Sequence, residues 1–174
     1  MLTAMVIIII SLLSGCSQDM DKNEKFLGNQ LHTEGSMELK YAKNFSVDYY
    51  KEGYALISIS DGSRYLIVPE GKDIPTNLDK SITILRQPIN NIYLVATSAM
   101  CLFDALDSLD TISLSGTKAE DWYIENAKAA MKAGDIIYAG KYNIPDYEMI
   151  MSNNCKLAIE STMINHTPEV KDKL

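Results

Sequence analysis

Hydrophobic and polar residues alternate in more than one rhythm along this chain. Residues 55–60 (Ala-Leu-Ile-Ser-Ile-Ser) and 63–68 (Ser-Arg-Tyr-Leu-Ile-Val) are both β-rich and flank Asp61-Gly62. That pattern predicts a hairpin, with Asp-Gly taking the positive φ angles of a type I′ turn. Pro69 ends the second strand, and residues 82–85 form another short strand closed by Pro88. From residue 92 the rhythm changes. Ile92-Tyr-Leu-Val-Ala96 is a continuous apolar run, as expected of a strand buried on both faces. Apolar residues then fall at helical spacing at Met100, Phe103, Leu106 and Leu109, with Ser98 as the expected N-cap. Residues 111–114 predict a strand ending near Gly116. Thr117-Lys-Ala-Glu120 matches a capping box, opening a helix that runs to about Ala133 and stops at Gly134. A short strand at 136–138 follows. Pro145 suits the first turn of a helix ending near Asn153-Asn154, and residues 157–159 form the next strand. This strand–helix alternation over 92–160 predicts an α/β fold: a mainly parallel sheet flanked by helices, with the earlier hairpin as an antiparallel extension.

Two segments lie outside that alternation. Residues 5–13 are almost purely apolar, too short for the about 20 residues a bilayer span needs. They fit the apolar region of a secretory signal. The run ends in Leu13-Ser14-Gly15-Cys16, which resembles a bacterial lipobox, although residues 1–4 lack the usual Lys or Arg. The resemblance implies a signal over 1–16 and a diacylglyceryl anchor on Cys16. Stable anchoring needs more than one acyl chain, which a diacylglycerol supplies. Residues 17–36 are polar and of mixed charge, and read as a flexible tether without packed structure. Residues 37–174 are then the folded domain, with its core in 88–174. At the other end, Thr167-Pro168-Glu169 is a strong helix start with only five residues after it. The expectation is a C-terminal truncation.

Composition narrows the function classes. Asp and Glu total 23 against 16 Lys and Arg, for a net charge of −7 with no basic run, so nucleic acid is not an expected partner. No Cys/His set has zinc spacing. Cys101 lies on a predicted apolar helix face, which favours a buried free thiol over a disulfide with Cys155. No GxSxG, HExxH, Walker A or GxGxxG occurs, and neither histidine is placed to serve a nucleophile, so no enzyme is expected.

The ordered series of residues 88–98, 114–117, 138–142, 145–150, 155–159, 160–163 and 166–169 resembles the first half of solute-binding proteins of the iron-siderophore/cobalamin class. These serve ABC importers. The resemblance implies a single Rossmann-like lobe of a two-lobe clamp, lipid-anchored at the outer face of the cell membrane. Its partners would be an ABC permease with its ATPase. No cofactor is expected; the ligand would be a small-molecule metal complex such as a ferric siderophore, haem or cobalamin. Ligands of open α/β sheets sit at the carboxyl ends of the strands. That position selects Thr97, Ser98 and Met100, then Lys118, then Lys141 and Tyr142, then Glu160, Ser161 and Thr162, with Trp122 nearby. The lysines suit anionic groups, and Tyr142 and Trp122 suit flat apolar surfaces. Ser98 and Thr117 serve equally well as helix caps, and Trp122 as packing. Glu148 matches an acidic residue that docks on the permease, though a helix dipole also favours an acid there. The alternative is a lipid-anchored single-lobe sensing or structural module without transport.

Overall fold

A computed structural model describes residues 26–27 and 31–174. Cys16, its lipobox and most of the expected tether lie outside the described residues. Among the described residues the chain is a mixed α/β protein with two main sheets and a separate two-stranded one. The first contains β1 (Phe26–Leu27), β2 (Leu31–Ser36), β3 (Phe45–Tyr50), β4 (Ala55–Ile59), β5 (Arg64–Val68) and β6 (Ile82–Arg86), in that spatial order. Every neighbouring pair is antiparallel except β5 and β6, which are parallel. Alternate residues turn to one face, where Leu56, Leu66, Val68 and Ile82 pack with Leu31, Tyr50 and Tyr54.

The end of the supposed tether is a strand, because β2 pairs with β3 through Thr33, Gly35 and Ser36. Main-chain ladder bonds do not depend on side-chain type, so the polar sequence gave no sign of them. Leu31 anchors the strand in the core, and the Ser36 hydroxyl donates to Asp48 Oδ1 at 2.5 Å. The 55–68 hairpin forms, but its turn is not type I′. Gly62 has φ 93° while Asp61 is not left-handed; the Gly62 N–H donates to Ile59 O at 3.0 Å. This is the longer connection, in which a turn is followed by one left-handed glycine.

The second sheet is wholly parallel. It comprises β7 (Ile92–Leu94), β8 (Ile112–Ser115), β9 (Ile137–Tyr138) and β12 (Leu157–Ile159), in the order β12-β7-β8-β9. A small hairpin of β10 (Gly140–Lys141) and β11 (Ile144–Pro145) follows β9. The helices are α1 (Thr97–Ala105), α2 (Glu125–Ala133), α3 (Tyr147–Ser152) and α4 (Pro168–Lys171). On one face of the sheet Ile92, Leu94 and Ile112 pack with Met100, Trp122 and Ala127. On the other, Tyr93, Leu114 and Ala139 meet Met149, Ile150 and Cys155. Burial on both faces explains the continuous apolar run at 92–96. Each fully buried Leu or Met here contributes about 1.5–3 kcal/mol.

The 55–68 hairpin does not extend this parallel sheet. Its strands belong to the first sheet and are buried in a separate hydrophobic cluster. The helix starts also moved. Ser98 is the second residue of α1, and Ala96, which has no side-chain cap, takes the cap position. α1 stops at Ala105, leaving Leu106 75% exposed; Asp107 at φ 53° breaks the helical path. The capping box at 117–120 does not form, because Ser115 Oγ accepts the Thr117 N–H at 3.0 Å. A 3-10 turn, Ala119–Asp121, follows, and α2 begins only at Glu125. Gly134 closes α2 in the left-handed conformation, as expected. Pro145 lies in β11, and Asp146 caps α3 by accepting the Met149 N–H at 2.9 Å. Among the described residues no helix is long and apolar enough to cross a membrane.

Candidate functional site

Backbone bonds lock together the four loops that leave the parallel strands. After β7, the Val95 and Ala96 N–H groups both donate to Ile159 O, at 2.9 and 3.0 Å. After β8, the Gly116 N–H donates to Leu94 O at 2.8 Å, and the Ala139 N–H donates to Ser115 O at 2.9 Å. The loops therefore end at one level and enclose an open cleft of about 330 Å³. Val95 and Thr97 line it from the first loop, and Gly116 to Lys118 from the second with Asp121 beyond them. Lys141 and Tyr142 close a third side, and Ser161 the fourth. Gly116 permits this approach: a Cβ there would stand 2.9 Å from a Val95 methyl. Ser115, fully buried, braces the second loop by donating to Thr117 O at 2.8 Å while accepting the Thr117 N–H.

Of the residues expected in a site, Thr97, Lys118, Lys141, Tyr142 and Ser161 line this cleft. Others do not. Met100 is fully buried in the core, since α1 turns that side chain down onto the sheet, so it is not a cleft residue. Trp122 is likewise only 4% exposed and packs in the same cluster; its Nε1 is buried without a partner. Ser98 and Thr162 are exposed and outside the lining, and Ser161 Oγ accepts the Met163 N–H to open the turn after β12. Glu148 is exposed in the first turn of α3. Cys101 is exposed rather than buried, because its helix face looks outward, and both Cys101 and Cys155 are free thiols. Burial pushes the Cys155 thiol up from its ordinary value. Val95 and Asp121 joined the lining without a sequence signal: one reads as strand, the other as helix.

Cation and acid share the cleft. Lys118 and Lys141 face it together with Asp121. The Lys118 ammonium lies 5.8 Å from the centre of the Tyr138 ring, a cation–π distance that holds it at the rim. Behind the third loop, the Tyr93 hydroxyl donates to Gly140 O at 2.9 Å. Burial, with Glu160 nearby, raises the Tyr93 phenol far above its ordinary range, so it stays a donor. Glu160 does not line the cleft. Both of its carboxylate oxygens are buried without a hydrogen-bond partner, and burial pushes its pKa up to about 7. Among the described residues no cluster of His, Cys, Asp or Glu is placed to hold a metal ion.

The chain is 21% identical over 176 aligned positions to an uncharacterized lipoprotein of Methanocaldococcus jannaschii. The match covers 85% of this chain but 42% of that protein, so the chain spans less than half the length of its relative. No protein-family profile and no solved structure matches the chain.

Proposed function

We propose that this chain is a lipid-anchored, extracytoplasmic solute-binding protein that delivers its ligand to an ABC importer of the iron-siderophore/cobalamin class. The convergence of four strand-end loops on one open cleft carries this reading. The strand order β12-β7-β8-β9 reverses direction between β7 and β12, which is where doubly wound sheets bind ligands. On this reading residues 88–174 form a Rossmann-like lobe, and its loop wall is one side of a two-lobe clamp. Lys118 and Lys141 meet anionic oxygens of a ferric siderophore, haem or cobalamin, and Tyr142 offers it a flat face.

The deciding experiment is equilibrium dialysis of the chain against those three ligand classes, with Lys118→Ala/Lys141→Ala as the partner variant. Saturable binding that falls about tenfold in the double variant is expected, from two lost charge-assisted contacts. Absence of binding to every ligand class would favour a lipid-anchored module without transport.

Two further outcomes follow from the same reading. The name of the archaeal relative supports lipid attachment at Cys16. Cys16→Ser should therefore move the protein from the detergent phase to the aqueous phase on Triton X-114 partition; an unchanged partition would remove the anchor. Glu148 is an exposed charge away from the cleft lining, as a docking residue should be. Glu148→Arg should lower uptake into vesicles carrying the permease and ATPase by about tenfold while leaving ligand affinity unchanged. Equal uptake would remove Glu148 from the docking surface.

A further inference from the structure

Glu160 directly follows β12, between the strand and the cleft wall. Its predecessor Ile159 receives the Val95 and Ala96 N–H groups, and its successor Ser161 lines the cleft. Its own carboxylate turns behind that wall, and both oxygens are shut off from solvent with no donor. A buried carboxylate without a partner is costly when ionised. The acids grouped with it around Tyr93 of β7 are Tyr138 of β9, Tyr147 of α3 and Cys155 ahead of β12. Two cations lie over those rings, Lys118 over Tyr138 and Lys173 over Tyr147 at 5.5 Å, and neither hydrogen-bonds to Glu160. The cleft itself carries Lys141 and Asp121, and the turn after Ser161 carries His166.

We propose that Glu160 is a proton-dependent specificity residue: the cleft takes an anionic ligand with Glu160 protonated, and binding draws a proton from solution. This rests on the reading of the cleft as a ligand site. Ionised, Glu160 sets a negative charge one residue from cleft-lining Ser161 and opposes an incoming anion across a medium that screens poorly. Protonated, it leaves Asp121 as the acid that shares the cleft with the two lysines. By linkage the bound anion must in turn hold the proton on Glu160 more firmly. The burial that raises this carboxyl to about 7 puts the change within reach of ordinary environments. A ligand neutral at its contact surface would feel none of this, so the device selects for anions and does so most strongly in acid surroundings.

The test uses sulfate, whose charge is constant over the range, titrated into the full chain at pH 5.5 and pH 8.5 and followed by NMR shifts of the cleft amides. The wild-type affinity is expected to fall about tenfold between the two pH values. Glu160→Gln, which keeps the shape of the protonated acid, should bind equally at both, at the wild-type acid strength. Lys118→Ala/Lys141→Ala should weaken sulfate at either pH. If the pH slope persists in Glu160→Gln while the lysine variant loses affinity, the inference is overturned and the cleft reading stands. If sulfate leaves the cleft amides unmoved at both pH values, the anion-cleft reading falls and the inference falls with it.

Discussion

Gly140→Ala should destabilise the folded protein by about 4 kcal/mol, the largest effect expected of any single methyl group here. Gly140 sits at φ 88°, where an L side chain is strained. Its added Cβ would lie 2.2 Å from Ile144 O and 2.9 Å from Pro145 Cα. Those are backbone atoms of the strand to which it is paired, so no rotamer change relieves the clash and the β10–β11 hairpin must open. The same residue supplies the carbonyl that accepts the Tyr93 hydroxyl, and it leads into Lys141 and Tyr142. Loss of stability should therefore be accompanied by weaker ligand binding. Thermal unfolding followed by circular dichroism reads the first effect and dialysis the second. A melting temperature within a degree of wild type would mean that the hairpin does not close as described.

The second large effect depends on pH. Burial raises Glu160 from 4.5 to about 7, so the folded protein holds this proton more tightly than the unfolded chain does. The stability it contributes is fully present below about pH 4.5 and is lost as the pH rises through 7. That difference corresponds to at most about 3 kcal/mol, reduced by the solvent screening that reaches a half-buried side chain. Glu160→Gln carries no titrating group and should match wild type at pH 4.5. At pH 8.5 it should be more stable by about that amount. Urea unfolding at the two pH values measures it directly. Equal stability of the two proteins at pH 8.5 would mean that the carboxylate has found a partner, and the orphan reading of its oxygens would fail.

Much of the parallel sheet was legible in the chain. Ile92–Leu94 announces itself as a strand because both of its faces must be apolar, and Leu157–Ile159 does so for the same reason. Gly134 and Pro168 mark helix ends through backbone constraints that belong to the residue type itself. Residue patterns misled where another bond competed for the same backbone group. Thr117 and Glu120 have the spacing of a capping box, yet Ser115, two residues upstream and buried in β8, takes the Thr117 N–H first. Residues 31–36 look like a linker because their side chains are polar, and they become a strand because β3 offers main-chain partners.

The candidate site divides in the same way. Position after a parallel strand was enough to pick Thr97, Lys118, Lys141, Tyr142 and Ser161, because strand order and loop position follow from the alternation of elements. The direction in which a side chain points does not follow. Met100 and Trp122 come from the same stretches and are turned into the core. Glu160 is placed behind the wall rather than on it, and its raised pKa arises only once neighbouring segments exclude water. The sequence by itself determined which segments alternate and which loops lie at the strand ends, because periodicity and backbone constraints act locally. Only the tertiary structure decided that the described strands divide between two main sheets, which loop residues face the cleft, and which acid loses its solvent. Burial and hydrogen-bond competition are properties of the assembled fold, set by residues far apart in the chain.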